Sequence, residues 1–161
     1  VTRALLGLGA NLGDPVATLR EAKLRLGALG RISAISSLYR TPPWGVERQP
    51  PFVNAALALD TPLDPDALLA ALKSLETELG RVASFRWGPR SIDIDILAYD
   101  GVERSGPALT IPHARLYERA FVLVPLAEID PGYAEARDAL PAADVAAVER
   151  IGPFEREGDV R

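Results

Sequence analysis

Apolar residues recur along this chain with two different periods, and the switches between them outline a fold. Ala4-Leu5-Leu6-Gly7-Leu8 is a short continuous apolar run, the mark of a buried strand. A turn from Gly9 follows, in which Asp14 is placed to cap a helix and Pro15 occupies its first position. Val16, Leu19, Ala22, Leu26 and Leu29 then fall on one helical face, closed by Gly30. Residues 31–39 and 52–60 are rich in Ile, Val, Leu and aromatics and are predicted strands. The polar loop between them holds Pro42, Pro43, Pro50 and Pro51. Asp64-Pro65 repeats the capping chemistry, and Leu68, Leu72, Leu75 and Leu79 continue at helical spacing up to Gly80. Residues 91–99 alternate as a strand does. The order β-α-β-β-α-β predicts an α+β fold, a ferredoxin-like antiparallel sheet with its two helices packed on one face. Beyond residue 100 the pattern predicts short additions and a helix around 142–150.

A chain of 161 residues suits one domain spanning 1–161, with residues 131–161 as a C-terminal extension. Its 22 Asp and Glu outnumber 18 Lys and Arg, a net charge of -4, which argues against a partner held by phosphate neutralisation along a nucleic acid. With no Cys, disulfides, thiol catalysis and thiolate metal sites are excluded, and the one histidine, His113, cannot build a zinc site by itself. No apolar run approaches the ~20 residues of a membrane span, and the apolar start is too short for a secretory signal. The expectation is a soluble cytoplasmic protein. No exposed-interface pattern stands out, so a monomer is expected.

Asp93 and Asp95 are the sharpest chemical feature. At ~3.3 Å per residue, positions i and i+2 of a strand share a side and lie about 6.6 Å apart. Ser91, Asp93, Asp95 and Leu97 therefore share one face, and Ile92, Ile94, Ile96 and Ala98 the other. If the isoleucines face the helices, both carboxylates project from the opposite surface, where a divalent cation would relieve their repulsion. The alternative is a solvated polar face on an edge strand. Arg81, Arg86, Trp87 and Arg90 lie upstream, and His113, Arg115 and Arg119 downstream. Carboxylates for a metal and guanidiniums for phosphate oxygens suit a polyphosphate carrying magnesium. Surface salt bridges explain the arginines equally simply, because 16 of the 18 basic residues are Arg. Asn54 interrupts an apolar strand just after Phe52, either as a structural bridge or as a contact for a polar ring. Thr41-Pro42-Pro43-Trp44 reads as a rigid loop or as the wall of a flat-ring pocket.

Two nucleotide motifs fail. Gly7, Gly9 and Gly13 are one residue too widely spaced for the dinucleotide fingerprint, and the absence of a Gly-Lys pair excludes a Walker A loop. Six runs do match another pattern: Gly7 to Gly13, Tyr39 to Pro43, Phe52 to Ala56, Arg86-Trp-Gly-Pro-Arg-Ser-Ile-Asp-Ile-Asp-Ile96, Ile111-Pro-His113 and Glu118 to Phe121. Together, in this order over residues 1 to about 130, they resemble the 6-hydroxymethyl-7,8-dihydropterin pyrophosphokinases of folate biosynthesis.

The resemblance implies transfer of the β,γ-diphosphate of ATP to the hydroxymethyl oxygen of a reduced pterin, with AMP released. It implies that Asp93 and Asp95 carry two Mg²⁺ ions. Arg81, Arg90, His113 and Arg119 would hold phosphates, Trp87 would sit on a lid loop, and Glu76, Ile96 and Thr110 would belong to the ATP site. The pterin would lie between Phe52 and Phe121, read by Asn54 and by the segment Thr41, Pro42, Pro43 and Trp44. The chain departs from some relatives in its short Val82-Ala83-Ser84-Phe85 segment, at Ala108 and Ala114, and in the bulk of Trp44. Two other activities compete with this reading: a metal-dependent phosphohydrolase that activates water, and a ferredoxin-like binding module with no catalysis.

Overall fold

A computed structural model describes residues 1–42, 50–80 and 92–156. Strand β1 (Thr2–Ala10) leads into helix α1 (Pro15–Leu26), followed by β2 (Arg31–Ile35), β3 (Leu38–Thr41), β4 (Phe52–Thr61), α2 (Pro65–Leu79) and β5 (Asp93–Tyr99). Three further helices follow, α3 (Ala120–Ile129), α4 (Ala134–Asp138) and α5 (Ala142–Ala146), and then strand β6 (Glu149–Gly152). The sheet is antiparallel in the order β5-β1-β4-β3-β6, with β2 also paired to β4. The long β1 and β4 form its centre. Among the described residues no helix is long and apolar enough to cross a membrane.

The helices begin where their caps predict. Asp14 Oδ1 accepts from the amide of Ala17 at 3.1 Å and Asp64 Oδ1 from that of Ala67 at 2.8 Å, each just before a proline whose missing N–H costs nothing there. Gly30 is not the stop of α1, which ends at Leu26. A Cβ on Gly30 would stand 2.2 Å from the carbonyl oxygen of Asp60, so glycine there lets the chain run hard against β4.

Leu19 and Leu26 of α1 and Leu68 and Leu72 of α2 close over Leu6, Leu8, Leu57, Leu59, Ile94 and Ile96, so the βαββαβ unit keeps both helices on one face. The C-terminal addition covers part of the other face: Leu123 and Leu126 of α3 pack with Leu116 on Leu5, Ala56, Ala58 and Leu97. α3 carries Pro125 inside it and is apolar nearly all round, which hid it from a periodicity reading.

Two further expectations are corrected. The single strand expected over 31–39 is broken at Ser36-Ser37. There the Ser36 hydroxyl donates to the Ser37 carbonyl at 2.7 Å and accepts from the Ala56 amide at 2.9 Å, and Glu128 of α3 takes the amide of Ser37 at 3.0 Å. The helix expected over 142–150 stops at Ala146; residues 149–152 instead form β6, pairing with the outer edge of β3. An edge with unpaired backbone groups outweighs the helix propensity of an alanine-rich segment.

Candidate active site

The site lies on the face of the sheet that carries α3, over the part α3 leaves open. Gly7 and Gly9 of β1 run down its middle. On one side β5 pairs Asp95 with Gly7 and Asp93 with Gly9; on the other β4 pairs Ala56 with Gly7 and Asn54 with Gly9. Because strand side chains alternate, Asp93, Asp95, Asn54 and Phe52 all rise on this face, separated by a track of bare backbone. Asp93 is half-buried and Asp95 exposed, while Ile92, Ile94 and Ile96 between and beside them are in the α1/α2 core. The expected division of β5 therefore holds as far as Leu97. There the register with β1 slips between Leu5 and Leu6, and Ala98 packs on the α3 side with Leu97, not with the isoleucines.

Glu76 ties this strand to the second helix. Its Oε2 accepts from the amide of Ile94 at 2.7 Å, and its Oε1 pairs with Lys73 at 3.2 Å. Ile94 is the residue between the two aspartates, on the outer edge of the sheet, so the carboxylate of Glu76 fixes the backbone from which both project. Ile96, expected in the nucleotide site, has a side chain only 3% exposed in the core and can offer a ligand only its backbone on that same edge. Thr110 is half-buried, its hydroxyl donating to Gly106 at 3.4 Å.

His113 follows a cis Ile111-Pro112 bond and docks on β5 by donating its amide to the Leu97 carbonyl at 2.9 Å. Its Nδ1 accepts from the amide of Arg115 at 3.2 Å, which leaves the proton of the neutral ring on Nε2 as a hydrogen-bond donor. Arg119 precedes α3, and its guanidinium lies 5.5 Å from the centre of the Phe121 ring. Phe121 is in the first turn of α3 and Phe52 at the start of β4, so the two aromatic rings expected to flank a flat ligand belong to the same side of the sheet.

Asn54 is 7% exposed and Thr41 6%. The Thr41 hydroxyl donates to Asn54 Oδ1, so the asparagine is bonded within the protein through its oxygen, while its Nδ2 lies over Gly9. The structural-bridge reading of Asn54 thus holds for its oxygen, through Thr41. Behind it, Tyr39 donates its hydroxyl to Glu128 at 2.6 Å, and burial, followed by this bond, pushes its pKa well above the ordinary tyrosine value.

Pro42 is exposed beside β3. Pro43, Trp44, Arg81, Arg86, Trp87, Arg90, Ser91 and the segment Val82 to Phe85 lie outside the described residues. Gly9, expected to begin the turn, lies instead within β1, which runs on to Ala10, so that Gly7 and Gly9, two apart in one strand, face the same side.

This face thus carries two carboxylates on β5, His113 docked on the same strand at Leu97, the Asn54 amide on β4, and Arg119 beside Phe121. Carboxylates, a guanidinium and an imidazole can meet a charged group, and an amide with aromatic neighbours can meet a flat polar ring. The family model described as 7,8-dihydro-6-hydroxymethylpterin-pyrophosphokinase (HPPK) matches residues 5–131. A 2-amino-4-hydroxy-6-hydroxymethyldihydropteridine pyrophosphokinase of Methylorubrum extorquens is 51% identical over 157 residues, 94% of this chain and 99% of that one. The Bacillus subtilis protein of the same name is 44% identical over 128 residues, 78% of this chain and 77% of its own. A crystal structure of an HPPK-DHPS in complex with substrates superposes with a TM-score of 0.68 at 16% identity, over 86% of this chain. The chain spans only 45% of that bifunctional protein, and the likeness to it concerns the fold.

Proposed function

The chain belongs to the 7,8-dihydro-6-hydroxymethylpterin-pyrophosphokinase family, and from that membership we propose how its own residues perform the family's reaction. In that reaction a diphosphate passes from ATP to the hydroxymethyl group of the dihydropterin, in folate synthesis. Asp93 and Asp95 are the residues that would hold Mg²⁺. Mg²⁺ keeps much of its water and takes one or two protein carboxylates together with substrate phosphates. Two carboxylates on one strand face fit the donor set such an ion uses. Bound there, the cation supplies charge neutralisation for the phosphates and acidifies the attacking hydroxyl.

The remaining work is positioning. The His113 Nε2–H and the Arg119 guanidinium donate to phosphate oxygens, and Arg81 and Arg90 join them. Glu76 holds β5 so that both aspartates face the same phosphates. The pterin lies between Phe52 and Phe121 with its polar edge toward Asn54, and Pro42, Pro43 and Trp44 wall the pocket. Trp87 belongs to the loop that covers the nucleotide. Transfer at a β-phosphorus depends on in-line approach and stabilised charge more than on a strong base. An aligned carboxylate pair facing a ring pocket across a glycine track supplies both.

The observation that most supports this reading is the pairing of Asp93 and Asn54 with Gly9 from opposite sides, which puts a carboxylate and an amide on the strands either side of β1. The test is AMP formation measured with and without the pterin and Mg²⁺. AMP should appear only when both are present. Phosphate released from ATP without pterin would instead make the protein a hydrolase, and metal-independent turnover would remove the role given to the aspartates.

A further inference from the structure

We propose that Gly9 is a positioning residue for the pterin: by lacking a Cβ it holds the Asn54 amide in the orientation that presents Nδ2 to the ring while Oδ1 stays bonded to Thr41. This rests on Asn54 being a pterin contact. A Cβ at position 9 would stand 2.8 Å from Asn54 Nδ2, inside the distance that carbon and nitrogen tolerate. An amide at the end of a side chain would ordinarily swing aside at little cost. Here its oxygen is held by the Thr41 hydroxyl, and both residues are more than nine-tenths buried. Clearing space for an alanine therefore strains or breaks that bond.

The other glycines nearby do not share this constraint. A Cβ on Gly7 would first meet the Leu97 side chain, at 3.3 Å, and one on Gly13 would meet nothing within 4 Å. Gly9 also does not have a positive φ, so alanine there introduces no backbone strain and acts through its methyl group alone. Among the described residues Nδ2 has no hydrogen-bond partner, although no fully buried side-chain polar atom is left unpaired. Nδ2 thus keeps access to the space above the sheet, where it can donate to a ring carbonyl or ring nitrogen.

The test is a double-mutant cycle of Gly9→Ala and Asn54→Ala, read as the dissociation constants of 6-hydroxymethylpterin and of Mg-ATP by titration calorimetry. Gly9→Ala should weaken the pterin about tenfold, the loss of about one well-placed hydrogen bond. It should leave Mg-ATP within about twofold, and in the Asn54→Ala background it should add almost nothing. A pterin constant unchanged by Gly9→Ala but raised by Asn54→Ala would overturn the role of Gly9 and leave the site assignment standing. If Asn54→Ala itself had no effect on pterin, the site assignment would fall and this inference with it. Equal weakening of both ligands would mean a general role in the fold and would also overturn it. Should Gly9→Ala not fold, Gly9→Ala with Asn54→Ser decides, because the shorter serine clears the methyl: a folded double variant with the pterin constant of Asn54→Ser alone supports the proposal, and failure to fold or a further loss of pterin overturns it.

Discussion

On the face turned to α1 and α2, β1 presents Ala4, Leu6 and Leu8, β4 presents Leu57 and Leu59, and β5 presents Ile94 and Ile96, all buried under the helices. One residue along, the same strands present Gly7, Gly9, Asn54, Asp93 and Asp95 to a face that α3 covers only in part. The first face is sealed and apolar. The second is anchored by Leu5, Ala58 and Leu97 under α3 and then opens into polar groups around bare backbone. A sheet can hold a reactive surface rigidly at no cost to its core, because the residues that stabilise each strand and those that meet ligands alternate along it.

That comparison can be broken from either side. The largest effect should come from the open face: Asp95→Ala should lower kcat by about 10³-fold or more, about 4 kcal/mol of barrier, with a thermal midpoint within a degree or two of the wild type. A large drop in the midpoint would show that Asp95 serves the fold. The closed face should answer in the opposite sense. Leu72→Ala should cost about 2–5 kcal/mol of stability in denaturant unfolding, while kcat measured well below the transition stays near the wild-type value.

Glu76 joins the two faces, reaching from a core helix to the strand between the aspartates. Glu76→Ala strands the Ile94 amide at a cost of about 1–3 kcal/mol. It should lower stability and activity together, with faster hydrogen exchange at Ile94. Glu76→Gln keeps an acceptor and should restore most of both; a glutamine as damaging as alanine would argue that the charge itself meets the nucleotide.

The smallest effect belongs behind the site, at Tyr39. Its raised pKa means that the folded state stays protonated where the unfolded chain has begun to ionise. Its contribution is thus complete below the ordinary tyrosine pKa near 10 and is lost as the pH rises above that. Tyr39→Phe should remove about 1 kcal/mol at neutral pH, through the lost bond to Glu128, and should flatten the fall of stability with pH above about 10. An unchanged alkaline slope would show that other groups set it.

Much of the fold was legible because its signals are local. The Asp-Pro caps of α1 and α2, the leucine spacing of α2 and the alternation of Asp93 to Ile96 each lie within a few residues. What escaped depends on neighbours distant in the chain. Ser36-Ser37 break a strand through bonds to Ala56 and Glu128, β6 exists because β3 offers an edge, and α3 hides its apolar surface against a sheet formed earlier in the chain. In the site, the aspartate pair was visible from spacing alone. The bond of Asn54 to Thr41, the hold of Glu76 on Ile94 and the close approach of the Asn54 amide to Gly9 were not.

Local chemistry, then, determined which residues are apolar, where helices start, and that two carboxylates share a side of one strand, since these follow from backbone periodicity and capping within a single segment. Only the assembled sheet decided that Asp93 and Asn54 flank the same glycine, because register between β5, β1 and β4 is set by burying all three apolar faces at once. A shift of one residue would leave every segment's pattern intact and send the aspartates into the core.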